Sequence, residues 1–64
     1  MEKIMQKAVE IVSNFDGIEE ISIWKSKDGI FYLMVYLTEP KAKLYRYDTD
    51  KKEFEFRQEK NFEA

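Results

Sequence analysis

The sequence predicts a two-layer α+β fold, in which one N-terminal helix packs on a four-stranded antiparallel meander sheet. Three observations predict it. Apolar residues recur at helical spacing at the start of the chain, and after Gly17 the apolar period changes to two. Ile30 to Leu37 is a run of eight apolar or aromatic residues between turn-forming residues, too short for a typical helix. Because 64 residues supply one thin core, we expect a single domain over residues 1–64.

The helix is expected from Glu2 to about Asn14. Its apolar stripe consists of Ile4, Met5, Ala8, Val9, Ile11, Val12 and then Phe15. The opposite stripe is polar, so the pattern predicts an amphipathic helix that buries one face.

Four strands are expected after the helix, separated by short polar turns. They are Glu20 to Ser26, Ile30 to Leu37, Ala42 to Tyr47 and Glu53 to Gln58. In each of them, apolar and aromatic residues occur at alternate positions or in an unbroken run, as is typical of strands. Residues 59–64 form a short polar tail, which we expect to fold back on the domain or to fray.

The length of the first hairpin loop decides which side chains share a face of the sheet. A two-residue turn at Asp28-Gly29 would pair Ile23 with Met34 and mix polar and apolar side chains on both faces. A three-residue loop over residues 27–29, with a left-handed Gly29, would pair Ile23 with Leu33. The second register separates the faces better.

The same parity continues if residues 38–41 form the next loop, which places Val35 opposite Leu44. The predicted helix-facing set is then Ile21, Ile23, Phe31, Leu33, Val35, Leu37, Leu44, Phe54 and Phe56. The predicted opposite face carries Trp24, Ile30, Tyr32, Met34, Tyr36, Tyr45 and Tyr47. No second helix is predicted to cover this aromatic face.

Catalytic and metal-binding motifs are absent from the sequence. The chain has no histidine and no cysteine, which excludes nucleophilic catalysis with a histidine base and thiolate metal sites. Two glycines are too few for a phosphate-binding loop. Asp48-Thr49-Asp50 opens like a calcium loop, but Glu53 occupies the position of the required glycine. We therefore expect neither an enzyme nor a cofactor or metal site.

The aromatic face is the predicted partner-binding site, because Tyr, Trp and Met are enriched at protein interfaces. Its candidate residues are Trp24, Tyr32, Met34, Tyr36, Tyr45 and Tyr47. A net charge of −2 argues against nucleic acid as the partner. Two alternatives stay open: cross-strand pairs such as Trp24 with Tyr32 and Met34 with Tyr45 stabilise the sheet alone, or a homodimer hides the same face.

Composition also suggests a compartment and a source. The N-terminal segment has no continuous hydrophobic stretch, so we expect neither a signal peptide nor a membrane span. Without cysteine, a reducing cytoplasm is the expected location. Nine Glu and nine Lys against two Gln and two Asn are typical of a thermophilic protein.

In length, Lys/Glu-rich composition and lack of catalytic residues, the chain resembles the small inhibitors of the archaeal DNA sliding clamp found in Thermococcales. The resemblance implies a cytoplasmic inhibitor that occupies the partner groove of the clamp and so regulates DNA replication. Clamp partners carry Gln-x-x-aliphatic-x-x-aromatic-aromatic. Gln6 and Val9 match its first half, and Val12-Ser13 stand where two aromatic residues are expected.

A second resemblance is to PepSY-type modules, in which a helix precedes strands that end in a hydrophobic-Asp-Thr-Gly-Lys pattern. Residues 47–51, Tyr-Asp-Thr-Asp-Lys, are similar, with Asp50 in place of the glycine. This resemblance implies an extracytoplasmic inhibitor or accessory domain.

Overall fold

The fold is an α+β domain with one N-terminal helix and a four-stranded antiparallel meander, as the sequence predicts. A computed structural model describes residues 2–38 and 40–61. Helix α1 is Glu2–Val12, and the strands are β1 Ile18–Lys25, β2 Phe31–Leu37, β3 Lys41–Asp48 and β4 Glu53–Asn61. The sheet order is β1-β2-β3-β4, so β1 and β4 are its edges. We call the face under α1 the inner face and the opposite one the outer face.

The β1–β2 hairpin has the three-residue loop, and the predicted register is confirmed. Ile23 pairs with Leu33, and Ile21 pairs with Val35. Gly29 has a φ of 84°, the left-handed conformation that this loop requires. The N–H of Ser26 donates to the carbonyl of Ile30 at 2.8 Å and closes the hairpin.

The predicted register between β2 and β3 is wrong by one residue. Ala42 pairs with Tyr36, and Leu44 pairs with Met34 rather than with Val35. A shift of one residue moves every side chain of a strand to the other face. Leu44, which the sequence predicts on the inner face, therefore lies on the outer face.

The same shift moves Tyr45 and Tyr47 to the inner face, where they pack against the core. Tyr45 meets Phe56 edge to face with ring centroids 5.7 Å apart, and Tyr47 meets Phe54 in the same way at 5.2 Å. Such pairs stabilise beyond the area that they bury, which is the physical reason for this register. Burial raises the pKa of the Tyr45 phenol above its ordinary value.

The core lies between α1 and the inner face. Its buried members are Ala8, Leu33, Val35 and Phe54. Around them pack the partly buried side chains of Ile4, Ile11, Val12, Phe15, Ile18, Ile23, Phe31, Leu37, Tyr45 and Tyr47. The helix stripe predicted from the sequence thus supplies the core, with the exception of Met5 and Val9, which are exposed.

Strand β4 runs beyond the predicted end at Gln58 and continues to Asn61. Lys43 opposes Glu59 across β3 and β4, and the Lys43 Nζ lies 3.7 Å from a Glu59 carboxylate oxygen. The same ammonium lies 5.3 Å from the centre of the Phe15 ring, so the Lys43 stem covers the end of the core. Residues 59–61, which the sequence places in a tail that folds back or frays, thus continue β4, and residues 62–64 lie outside the described part.

The β3–β4 turn is organised by Asp48. Its carboxylate accepts hydrogen bonds from the N–H groups of Asp50 at 2.8 Å and Lys51 at 3.1 Å, a common device in turns. The hydrogen bond from Lys51 lowers the pKa of the Asp48 carboxyl most, below its usual range. The hydrogen bond from Asp50 and the charges of Lys51 and Arg46 lower it further. The N–H of Lys52, whose φ is 58°, donates to the Asp48 carbonyl.

The lowered pKa of Asp48 predicts a loss of stability in acid. Between the lowered folded pKa and the ordinary value of 3.8, the unfolded chain binds more protons at this carboxyl. The contribution of Asp48 is therefore full above pH 3.8 and disappears as the pH falls through the folded value. Asp48→Asn keeps the acceptor oxygen but does not titrate, so its urea unfolding should depend less on pH below about pH 4. Equal pH dependence in both proteins would contradict this role.

Candidate functional site

One helix is too narrow to cover this sheet. A helix is about 10 Å wide, whereas the axes of the first and last of four strands lie about 14 Å apart. Helix α1 packs closest to β4, and the β1 side of the inner face is left open. Val9 on α1 is 58% exposed and Ile21 on β1 is 46% exposed.

The open side forms an apolar groove between α1 and β1, which we call the helix–β1 groove. Its volume is about 440 Å³. It is lined by Ile4, Met5, Ile23, Trp24, Lys25 and Phe31. Sequence reasoning missed it, because the periodicity assigns Met5 and Ile23, which line the groove, to the core. The available signal was the mismatch in width between a single helix and four strands.

A second apolar surface crosses the outer face, and we call it the outer band. It consists of Trp24, Tyr32, Met34, Tyr36 and Leu44 on three adjacent strands. Trp24 stacks on Tyr32 with centroids 5.6 Å apart and planes 18° apart, which confirms that predicted pair. The predicted pair of Met34 with Tyr45 is wrong, since Met34 opposes Leu44.

Four of the six predicted site residues lie together in the outer band: Trp24, Tyr32, Met34 and Tyr36. The other two, Tyr45 and Tyr47, do not, because both pack against the core on the inner face. On β3, Leu44 is the residue that lies next to Met34 on the outer face. The outer band is therefore less aromatic and more aliphatic on β3 than the sequence predicts.

Charged side chains of both signs border the outer band. Arg46 lies opposite Tyr32 on one side and Glu55 on the other, Glu20 lies opposite Tyr36, and Lys60 lies beside Ala42. The Lys51 ammonium donates to Glu55 at 2.7 Å, and this hydrogen bond and the Glu55 charge raise the pKa of Lys51. The rim is thus polar and of mixed charge.

Within residues 2–38 and 40–61, no group of three or more His, Cys, Asp or Glu side chains is placed to hold a metal ion. The described helix, 11 residues long, is far shorter than a bilayer crossing requires. The described residues present two apolar surfaces, the outer band and the helix–β1 groove, which meet at Trp24. No family model, curated protein or solved structure matches the chain.

Proposed function

We propose that this domain binds another protein without catalysing a reaction, and that the outer band is its contact surface. The observation that carries the proposal is a continuous apolar and aromatic band across β1, β2 and β3, over which no second layer packs among the described residues.

The composition of the outer face supports this proposal. Aromatic residues and Met form the centre, and charged residues of both signs form the rim. The band lies on a sheet whose strands are already paired, so binding orders little additional backbone. Trp24 and Tyr32 are partly exposed and stack on each other, so their rings form a rigid apolar surface. The indole N–H and the phenol O–H can donate hydrogen bonds to a partner.

The partner that fits this surface is a protein with an exposed apolar patch bordered by charges of both signs. A nucleic acid fits less well, because Glu20, Glu53 and Glu55 lie on the outer face beside Arg46 and Lys60. A base-stacking platform needs a positively charged path for the phosphates, and this face has none among the described residues.

A cytoplasmic inhibitor of a DNA sliding clamp is one specific form of this function, supported by the resemblance in size and composition to thermophilic clamp inhibitors. The segment nearest to a clamp-binding motif lies on α1, and its Val12 packs against the core. Docking through that segment would require unpacking Val12. We therefore propose that a clamp, too, would be contacted through the outer band, and titration of a purified archaeal clamp against the single Trp24 tests it.

Tyr36→Ala should weaken partner binding by about fivefold or more, because truncating a tyrosine that anchors the centre of an interface costs about 1 kcal/mol or more. Wild-type protein is used to capture the partner, and the purified pair is then titrated by calorimetry. Phe56→Ala is the matched control, since Phe56 is an exposed aromatic residue on the inner face. Equal affinity of the Tyr36 variant and wild type, or equal loss in both variants, would contradict the proposal.

A further inference from the structure

We infer that β1 pairs with β1 of a second copy of this chain, which joins two four-stranded sheets into one continuous sheet. This inference uses the free edge of β1 rather than the outer band, and it does not depend on the proposed function.

Along its free edge, β1 carries backbone N–H and C=O groups that do not bond to β2. The N–H of Ser26 donates to Ile30, and bonding alternates along an antiparallel strand, so Trp24 and Ser22 also face β2. The N–H and C=O groups of Ile21, Ile23 and Lys25 therefore point away from β2. Among the described residues no strand lies on that side, and an edge of this kind is a template for strand addition.

The sequence of β1 is complementary to itself in one antiparallel register. When Ser22 lies opposite Ser22 of the second copy, Ile21 lies opposite Ile23. Lys25 then lies next to Glu19, the extra residue of the β-bulge between Ile18 and Glu20. Both pairs occur twice because the arrangement is two-fold symmetric. Unlike charges thus meet at both ends of the paired segment, with isoleucines between them.

Other registers that keep inner-face residues opposite each other are worse. Pairing centred on Ile21 places Glu19 opposite Ile23, and pairing centred on Ile23 places Ile21 opposite Lys25. Pairing centred on Glu20 places like charges opposite each other, which is destabilising. Pairing centred on Trp24 places Ile23 opposite Lys25. Of these registers, only the one centred on Ser22 places both isoleucines opposite isoleucine and brings Glu19 next to Lys25.

The same register accounts for the exposure of Ile21. The two-fold axis stands perpendicular to the joined sheet, so both α1 helices lie on one side and both helix–β1 grooves adjoin. Ile21, which is 46% exposed in the single chain, meets Ile23 of the second copy. Ser22 occupies the symmetric non-hydrogen-bonded position, where backbones approach closely and a small side chain fits.

A charge-swap experiment tests the pairing. Glu19→Lys and Lys25→Glu each place like charges opposite each other, and each should weaken the dimer by about tenfold or more, since two exposed ion pairs are lost and two repulsions are added. An equimolar mixture of the two variants restores both ion pairs and should form a one-to-one heterodimer, measured by native mass spectrometry at low salt. Lys60→Glu, on β4, is the control and should dimerise as wild type does.

Amide hydrogen exchange tests the same edge independently. As the protein concentration rises, the amides of Ile21, Ile23 and Lys25 should gain protection, whereas those of Ser22 and Trp24 should be protected throughout. A wild-type protein that sediments only as a 7.8 kDa species at up to about 1 mM would overturn the inference. A dimer that the Glu19 and Lys25 variants leave intact would also overturn it, because that dimer uses another surface.

Discussion

Leu33→Ala is expected to lower the free energy of unfolding by about 2–5 kcal/mol, the range for truncating a fully buried leucine. Leu33 is 0% exposed and lies in the middle of β2, between Ile23 and Tyr45 on the inner face. Truncation leaves a cavity beneath α1 that a sheet paired on both sides cannot close. The measurement is urea unfolding followed by far-UV circular dichroism.

Leu44→Ala is the matched control for that variant. Leu44 is half-buried on the outer face, where solvent can fill the space of a missing side chain, so its truncation should cost about 1 kcal/mol. In the register predicted from sequence Leu44 would be a core residue, and the two variants would then be equally destabilised. Equal losses would therefore contradict the observed β2–β3 register. Leu33→Met preserves the volume of the side chain and should lower the free energy of unfolding by less than about 1.5 kcal/mol. If Leu33→Ala does not fold, the unfolding of Leu33→Met can still be measured.

Phe54→Ala is expected to cost about 3–5 kcal/mol. Phe54 is 7% exposed, belongs to the buried core and meets Tyr47 edge to face. A domain of this size has a total stability of only about 3–10 kcal/mol. A substantial unfolded population at room temperature is thus the expected result, visible as a lower urea midpoint or as loss of dispersed amide resonances.

Phe56→Ala provides the comparison within the same strand and on the same face. Phe56 is 53% exposed and also meets a tyrosine edge to face, so the two variants share residue type, strand and partner type. Because the two sites differ mainly in burial, Phe56→Ala should cost about 1 kcal/mol. A loss as large as that for Phe54→Ala would show that the aromatic pairs rather than burial under α1 stabilise β4.

The element order and the first hairpin are predictable because local chemistry decides them. The apolar stripe of the helix is recognised from its periodicity alone. Gly29 is recognised because glycine is the residue that a left-handed loop position favours. That position sets the β1–β2 register, and the register places Trp24 beside Tyr32. Most of the outer band therefore follows from the sequence.

The face of β3 could not be predicted in the same way. Side chains alternate along residues 41–48, so Lys43, Tyr45 and Tyr47 lie on one face of β3. Ala42, Leu44 and Arg46 lie on the other face. Each set contains a charged residue beside apolar or aromatic ones, so composition does not decide which set faces the helix. The polar residues that precede the strand suit a loop of either length. Packing of Tyr45 and Tyr47 against Phe56 and Phe54 distinguishes the two registers, and those contacts involve a strand that follows later in the chain.

The sequence by itself determined the layers, the strand order and an uncovered aromatic face, because periodicity and turn residues act over a few positions. Only the tertiary structure decided which tyrosines share that face and where α1 lies across the sheet. A helix about two strands wide must leave part of a four-stranded sheet open. Its packing closest to β4 leaves the inner face of β1 open at Ile21, beside a free backbone edge.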